Sequence, residues 1–113
     1  MENCLFCRIV RGEIPSTKVF ENENVYAFLD IHPQAPFHAL VVPKKHVSSV
    51  SDIDQLSEHQ IAECLHAVAK IATDAELCGG YRIISNCGPD ACQSVQHLHF
   101  HILGGRQMSD QMA

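Results

Sequence analysis

The sequence predicts an α+β domain, a five-stranded and mostly antiparallel sheet carrying one long and one short helix. Three observations point there. Five short β-prone runs are bounded by turn residues, one long stretch repeats its apolar residues every three or four positions, and one segment alternates histidine with apolar residues. With 113 residues, 46% of them hydrophobic and 19% charged, the chain suits a single domain spanning 1–113, with enough length to bury a core without disulfides.

Residues 4–11, CLFCRIVR, set Leu5 and Ile9, joined by Phe6 and Val10, at helical spacing, and Gly12 stops the turn. Lys18–Glu21 and 25–30 are β-prone runs separated by Asn22, Glu23 and Asn24, which favour a tight turn. This reads as a hairpin. After the proline-bounded loop 32–36, FHALVVP over Phe37–Pro43 forms a third strand.

From Ser57 onward the period changes. Ile61, Cys64, Leu65, Val68, Ala69, Ala72 and Ala75 describe one face of a helix of about five turns, which must cover one sheet face. Ser57 and Gln60 have the spacing of a capping box, and Gly79 and Gly80 supply the stop. YRIISN, residues 81–86, is a fourth strand, and the polar loop CGPDACQS leads to a fifth running from about Val95 to Leu103.

Composition narrows the function. Lys and Arg number 8 against 13 Asp and Glu, giving a net charge of −5, the wrong sign for a partner such as a nucleic acid polymer. No apolar run approaches the roughly 20 residues of a membrane helix. The N-terminal MENCLFCRIVRGEIP has no apolar signal core, so a soluble cytoplasmic chain, extending to the nucleus, with its six cysteines reduced, is expected. Eight histidines are an excess of the side chain suited to proton transfer, nucleophilic attack and metal ligation near neutral pH.

Three of them stand in VQHLHFHILGG. His97, His99 and His101 are spaced by two, so in a strand all three leave one face, while Leu98, Phe100 and Ile102 leave the other, the core side. The imidazole face would then be open or line a pocket. Three readings stand: histidines decorating a solvated face, a catalytic zinc site with a ligand from elsewhere, and nucleophilic catalysis with neighbouring imidazoles orienting the attacker. The loop 88–94 favours the third, since its amides and the Ser94 hydroxyl suit a phosphate.

His97-Leu98-His99-Phe100-His101-Ile102-Leu103 matches the full His-φ-His-φ-His-φ-φ signature, φ being apolar, and in this the chain resembles the histidine triad (HIT) family. The resemblance continues through IPSTKVFENENVYAFLDIHPQAPFHALVVPKKH, GYRIISN and QSVQHLHFHILGGRQM, and it points to the Hint branch of nucleotide-binding proteins. It implies a HIT-like fold and a homodimer whose two sheets join into one of ten strands. It also implies a purine nucleoside phosphoramidase or aminoacyl-adenylate hydrolase that releases AMP through a nucleotidyl-histidine, with no cofactor needed for the chemistry. The rival function is a nucleotide-binding adaptor with incidental hydrolysis, since this branch has carried the label of a protein kinase C interacting protein.

By resemblance, His99 is the nucleophile, His101 contacts the phosphate, His97 helps orient His99, His38 supports from outside the triad, and Ser94 assists the leaving amine. Asp30 corresponds to the ribose-binding carboxylate and Asn86 to an amide near the phosphate. Phe6, Ile9, Phe28 and Ile31 correspond to the slot around the base, and Cys92, Gln93 and Val95 belong with Ser94 to the phosphate loop. Without the family, Phe28 and Ile9 read as core and Asp30 as a strand-end turn residue. Cys92 stands where relatives often carry glycine, which forces a backbone adjustment if that position needs positive φ. The C-terminus, GRQMSDQMA, lacks the longer aromatic tail of relatives.

Cys4 and Cys7 form C-x-x-C. Some relatives bind a structural zinc through two cysteines, a histidine matching His46 and the first triad histidine, His97, in a closed Cys2His2 site. The other reading is two reduced cysteines in an amphipathic helix. Cys64 and Cys78 read as small apolar residues of the long helix, Cys87 as a loop thiol, and His32, His59 and His66 as exposed or boundary residues.

Overall fold

A computed structural model describes residues 3–113. Helix α1 covers Leu5–Val10, and strands β1 (Lys18–Glu21), β2 (Val25–Leu29) and β3 (Phe37–Pro43) follow. A 3-10 segment over Val50–Gln55 leads into helix α2 (Glu58–Asp74), then β4 (Tyr81–Ile84), a 3-10 turn at Pro89–Ala91 and β5 (Phe100–Gly104). The strands form one sheet in the order β1-β2-β3-β5-β4, every pair antiparallel. The α+β architecture expected from the sequence is the observed one.

The period-two pattern of β2 and β3 sorts their side chains onto two covered faces. Val25, Ala27, Ala39, Val41 and Ile102 meet Cys64, Ala67, Val68 and Ile71 of α2. Tyr26, Phe28, Leu40 and Val42 meet Phe6 and Ile9 of α1 on the opposite side. Full burial of each Val or Ile contributes roughly 1.5–3 kcal/mol, so both helices are held by the same two central strands. Burial pushes the Cys64 thiol up to about 11, keeping it a neutral core residue.

The local signals at the turns hold. Asn22 Oδ1 accepts the backbone N–H groups of Asn24 and Val25, closing the first hairpin. Ser57 and Gln60 form the reciprocal capping box. The stop of α2 differs from expectation: Glu76, at φ +57°, takes the left-handed position, with its N–H on Thr73 O and the Leu77 N–H on Ala72 O. That is a Schellman cap built without glycine. The chain is already released there, so Cys78 lies beyond α2 and is exposed rather than packed in it.

The fifth strand is shorter than expected. It begins at Phe100, opposite Val41, and two further residues in this register would set Leu98 against Pro43, which has no N–H to give. Residues 97–99 instead satisfy their backbone individually: the Leu98 N–H donates to Val47 O, and Ser85 Oγ donates to His99 O. Leu98 is thereby drawn under the 3-10 segment, against Val47 and Leu56. The fourth strand likewise stops at Ile84, short of Asn86, and β2 ends just before Asp30, whose N–H still bonds His38 O.

Candidate active site

The alternation of the triad survives the shortened strand, but the histidine face is not open. His97 is 0% and His99 4% exposed, because Phe6 of α1 packs edge-on against both rings, at centroid distances of 6.0 and 5.1 Å. Of the two alternatives, open or lining a pocket, the second holds for His99 and His101, which line a cavity. Only His101 belongs to β5, and His97 turns away toward the N-terminal cysteines.

Hydrogen bonds determine the tautomers. His99 Nδ1 lies 2.7 Å from the carbonyl oxygen of His97, an acceptor only, so Nδ1 carries the proton and Nε2 keeps its lone pair. Burial pushes the His99 pKa down, with the His97 carbonyl and Asp30 opposing, and the ring is held neutral. A neutral imidazole with a bare Nε2 is a nucleophile.

The second chain of bonds starts in the loop before β3. The Gln34 N–H donates to His38 Nδ1 at 3.0 Å, so the proton of His38 is on Nε2, which donates to His101 Nδ1 at 2.8 Å. That leaves His101 with a proton on Nε2, a donor for an anion. Burial, reinforced by His99 and His38, holds His101 down to about 4, and burial likewise lowers His38 against the pull of Asp30. Asp30 Oδ2 is 3.4 Å from His38 Nε2, and its Oδ1 accepts the His32 N–H.

A cavity of about 300 Å³ opens beside His99 and His101, at the lower end of small-molecule sites. Phe6, Ile9, Phe28 and Ile31 line its apolar side, and Asp30, Ser94 and Val95 complete the set drawn from the sequence. Ile31 is 85% exposed at the rim. Asn86, Cys92 and Gln93 do not line the cavity. Gln93 is buried and braces the loop, accepting from the Gly88 N–H and donating to Ser48 O and Val95 O. Cys92 sits at φ +60°, so the loop keeps a left-handed residue there with a side chain in place of glycine.

Cys4, Cys7, His46 and His97 converge in a second cluster, their ligand atoms all within 4.8 Å of one another. His97 Nε2 donates to Pro43 O at 2.8 Å, which points its bare Nδ1 into the cluster. That Nδ1 is 3.3 Å from Cys4 Sγ, 3.5 Å from Cys7 Sγ and 3.1 Å from His46 Nδ1, and Cys7 Sγ is 3.4 Å from His46 Nδ1. Donors around one tetrahedral zinc, at about 2.0–2.3 Å from it, stand about 3.3–3.8 Å apart. The four atoms fit a zinc site, with little movement needed. Burial holds His97 down to about 4 and thus neutral, as a ligand must be. Burial raises the Cys7 thiol to about 11, a cost of ionisation that a cation removes.

Sequence reasoning did not find Ser85, Gln34 or Pro43, which act through the backbone carbonyl of His99, the tautomer of His38 and the orientation of His97. Ser85 and Pro43 work through contacts 14 and 54 residues away in the chain, and Gln34, only four residues from His38, works through a backbone N–H that no residue type marks. His32, His59 and His66 are exposed. Among the described residues, no helix is long and apolar enough to cross a membrane.

The profile of the HIT domain matches residues 11–108. The chain is similar to the 14 kDa zinc-binding protein of Zea mays, 42% identical over 107 residues, covering 93% of this chain and 84% of that one. It is 41% identical to the adenylylsulfatase HINT1 of Arabidopsis thaliana over 107 residues, 93% of this chain and 73% of that one. Among solved structures, a HIT family hydrolase from Clostridium thermocellum superposes with a TM-score of 0.96 at 42% identity, over 100% of this chain and 99% of that chain.

Proposed function

Because the chain belongs to the HIT domain family, we propose that it is a hydrolase that cleaves purine nucleoside phosphoramidates and aminoacyl-adenylates, releasing AMP through a covalent bond to His99. The observation that carries this reading is the 2.7 Å contact of His99 Nδ1 with the His97 carbonyl, which leaves Nε2 free beside the cavity. The similarity to the HIT family hydrolase from Clostridium thermocellum supports hydrolysis, and that to the adenylylsulfatase HINT1 of Arabidopsis thaliana supports an adenylyl group as its target.

In the first step His99 Nε2 attacks the α-phosphorus and the P–N bond breaks. The bonding pair passes to nitrogen, which takes up a proton relayed through the exposed Ser94 hydroxyl from water. The ring becomes an N-phosphorylated imidazolium whose Nδ1–H still bonds the His97 carbonyl, now charge-assisted and stronger. His101 Nε2–H bonds the phosphate oxygens, and His38 holds it in that tautomer. Water then attacks phosphorus, neutral His99 departs, and a proton goes to solvent, dividing one difficult displacement into two. Asp30 retains lone pairs for ribose hydroxyls, Phe6, Ile9, Phe28 and Ile31 enclose the base, and Ser94 with Val95 serves the phosphate, whereas the Cys92 and Gln93 N–H groups are already bonded to Pro89 O and Gly88 O inside the loop.

Zinc held by Cys4, Cys7, His46 and His97 is structural in this reading: it pins α1 to the residue whose carbonyl orients the nucleophile. A homodimer is proposed on the unpaired edge of β4, where Tyr81 and Ile83 are 41% and 45% exposed. An open edge with apolar side chains favours strand pairing with a second copy.

Rapid quenching during turnover of adenosine 5′-phosphoramidate, followed by intact-protein mass spectrometry, tests the proposal. An AMP adduct in the wild type that is absent from His99→Ala supports it. Turnover in His99→Ala at near the wild-type rate overturns it.

A further inference from the structure

A second opening adjoins the nucleotide cavity, a wide cleft of about 1080 Å³ between the start of α1 and the segment leading into the triad. The two share Leu5, Ser94 and Val95 as a common wall. His99 lines only the smaller cavity, and Asn3, Ser48 and Gln96 line only the cleft.

Phosphoryl transfer sets the attacking and departing atoms roughly in line through phosphorus. With the nucleoside in the smaller cavity and His99 on its inner side, the departing group exits away from His99, past Ser94. Beyond Ser94 lies the cleft. We infer that this cleft is the leaving-group subsite, an inference that rests on the hydrolase reading above, and that it favours uncharged amines with an apolar flank.

The chemistry of the lining supports that class. Leu5, itself 44% exposed, and Val95 offer an apolar strip. Asn3, Ser48 and Gln96 offer neutral polar groups, and the Gln96 amide is anchored on Gln93 O at 3.1 Å. Among the described residues no Asp, Glu, Lys or Arg lines the cleft, so a charged substituent meets no counter-ion and loses solvation against Leu5 and Val95. Cys4 and His46 also reach its wall. Two thiolates and two neutral imidazoles on a divalent zinc sum to zero charge and leave this character unchanged.

The test compares AMP phosphoramidates of three amines of matched size: propylamine, ethylenediamine with one free ammonium, and glycine with a free carboxylate. The wild type is expected to favour propylamine in kcat/KM. Asn3, exposed and outside the nucleotide cavity, is changed to Asp and to Lys. A unit charge within about 4 Å in water is worth about fivefold, so Asn3→Asp should raise the ethylenediamine-to-propylamine ratio about fivefold and Asn3→Lys the glycine ratio likewise, both effects shrinking with salt. Affinity for AMP and the rate on unsubstituted phosphoramidate should stay within about twofold in both variants, since no part of those ligands enters the cleft. If both ratios are the same in wild type and both variants while unsubstituted phosphoramidate is still cleaved, the leaving group lies elsewhere and the subsite is refuted alone. If the wild type cleaves none of these compounds, the hydrolase reading falls and the subsite with it.

Discussion

Ser85 Oγ donates to the carbonyl oxygen of His99 over 2.8 Å, tying the end of β4 to the backbone of the proposed nucleophile at the point where β5 has not yet begun. The bond stands where the β4–β5 ladder has ended, one residue beyond Ile84. It places a hydroxyl outside the reaction in control of where His99 Nε2 points.

Ser85→Ala should therefore cost about 1 kcal/mol of stability for one lost partly buried bond. It should also lower kcat about tenfold with little change in AMP affinity, as misplacement of a reacting atom does. Thermal unfolding together with single-turnover kinetics reads both. An unchanged kcat would remove Ser85 from the positioning of His99.

Zinc should be present at one ion per chain and lost in Cys7→Ser. The donors tie α1 to the segment following β3 and to His97, so chelation should lower the melting temperature and loosen hydrogen exchange in residues 4–11, whose packing depends on that clasp. Elemental analysis and exchange measurements check this. Retention of a full zinc equivalent by Cys7→Ser would reject the four-ligand site.

Stability should fall on acidification in a window set by buried histidines. His101 ordinarily titrates at 6.5, and burial followed by His99 and His38 depresses it to about 4. Between those values the unfolded chain binds the proton and the folded chain does not, so stability present above about pH 6.5 is lost as pH falls toward about 4. His101→Asn should flatten this slope in thermal unfolding between pH 7.5 and 5. Identical slopes in variant and wild type would assign the loss to other groups.

Cys92→Gly should raise stability by about 0.5–1 kcal/mol. A side chain at φ +60° costs about 1–2 kcal/mol, part of which glycine gives back as unfolded-chain entropy. Denaturant unfolding at fixed m-value measures it, and a loss of stability would mean that the Cys92 side chain makes up its own strain.

Most of the fold was legible. The hairpin turn at Asn22, the capping box at Ser57 and the bounds of β1 and β3 came out as expected, because each depends on residues within a few positions of one another. The stop of α2 was misread: Gly79 and Gly80 were the obvious candidates, yet Glu76 pays the left-handed cost three residues earlier, where the Leu77 side chain reaches the core beneath α2. The long β5 was misread for a different reason. Alternation specifies facing, not pairing, and Pro43 on the neighbouring strand decides where the ladder ends.

By itself the sequence determined the α+β class, the alternation that separates His97, His99 and His101 from Leu98, Phe100 and Ile102, and the C-x-x-C pair. These are local matters of residue type and period. Only the tertiary structure decided that α1 buries the histidine face, that His97 turns to the cysteines while lending its carbonyl to His99, and that His38 and Gln34 set the tautomer of His101. A proton on Nδ1 or Nε2 is decided by the group across from it, and for His97 and His101 those groups, Pro43 O and His38 Nε2, come from segments 54 and 63 residues away; periodicity along one chain segment carries no information about such a contact.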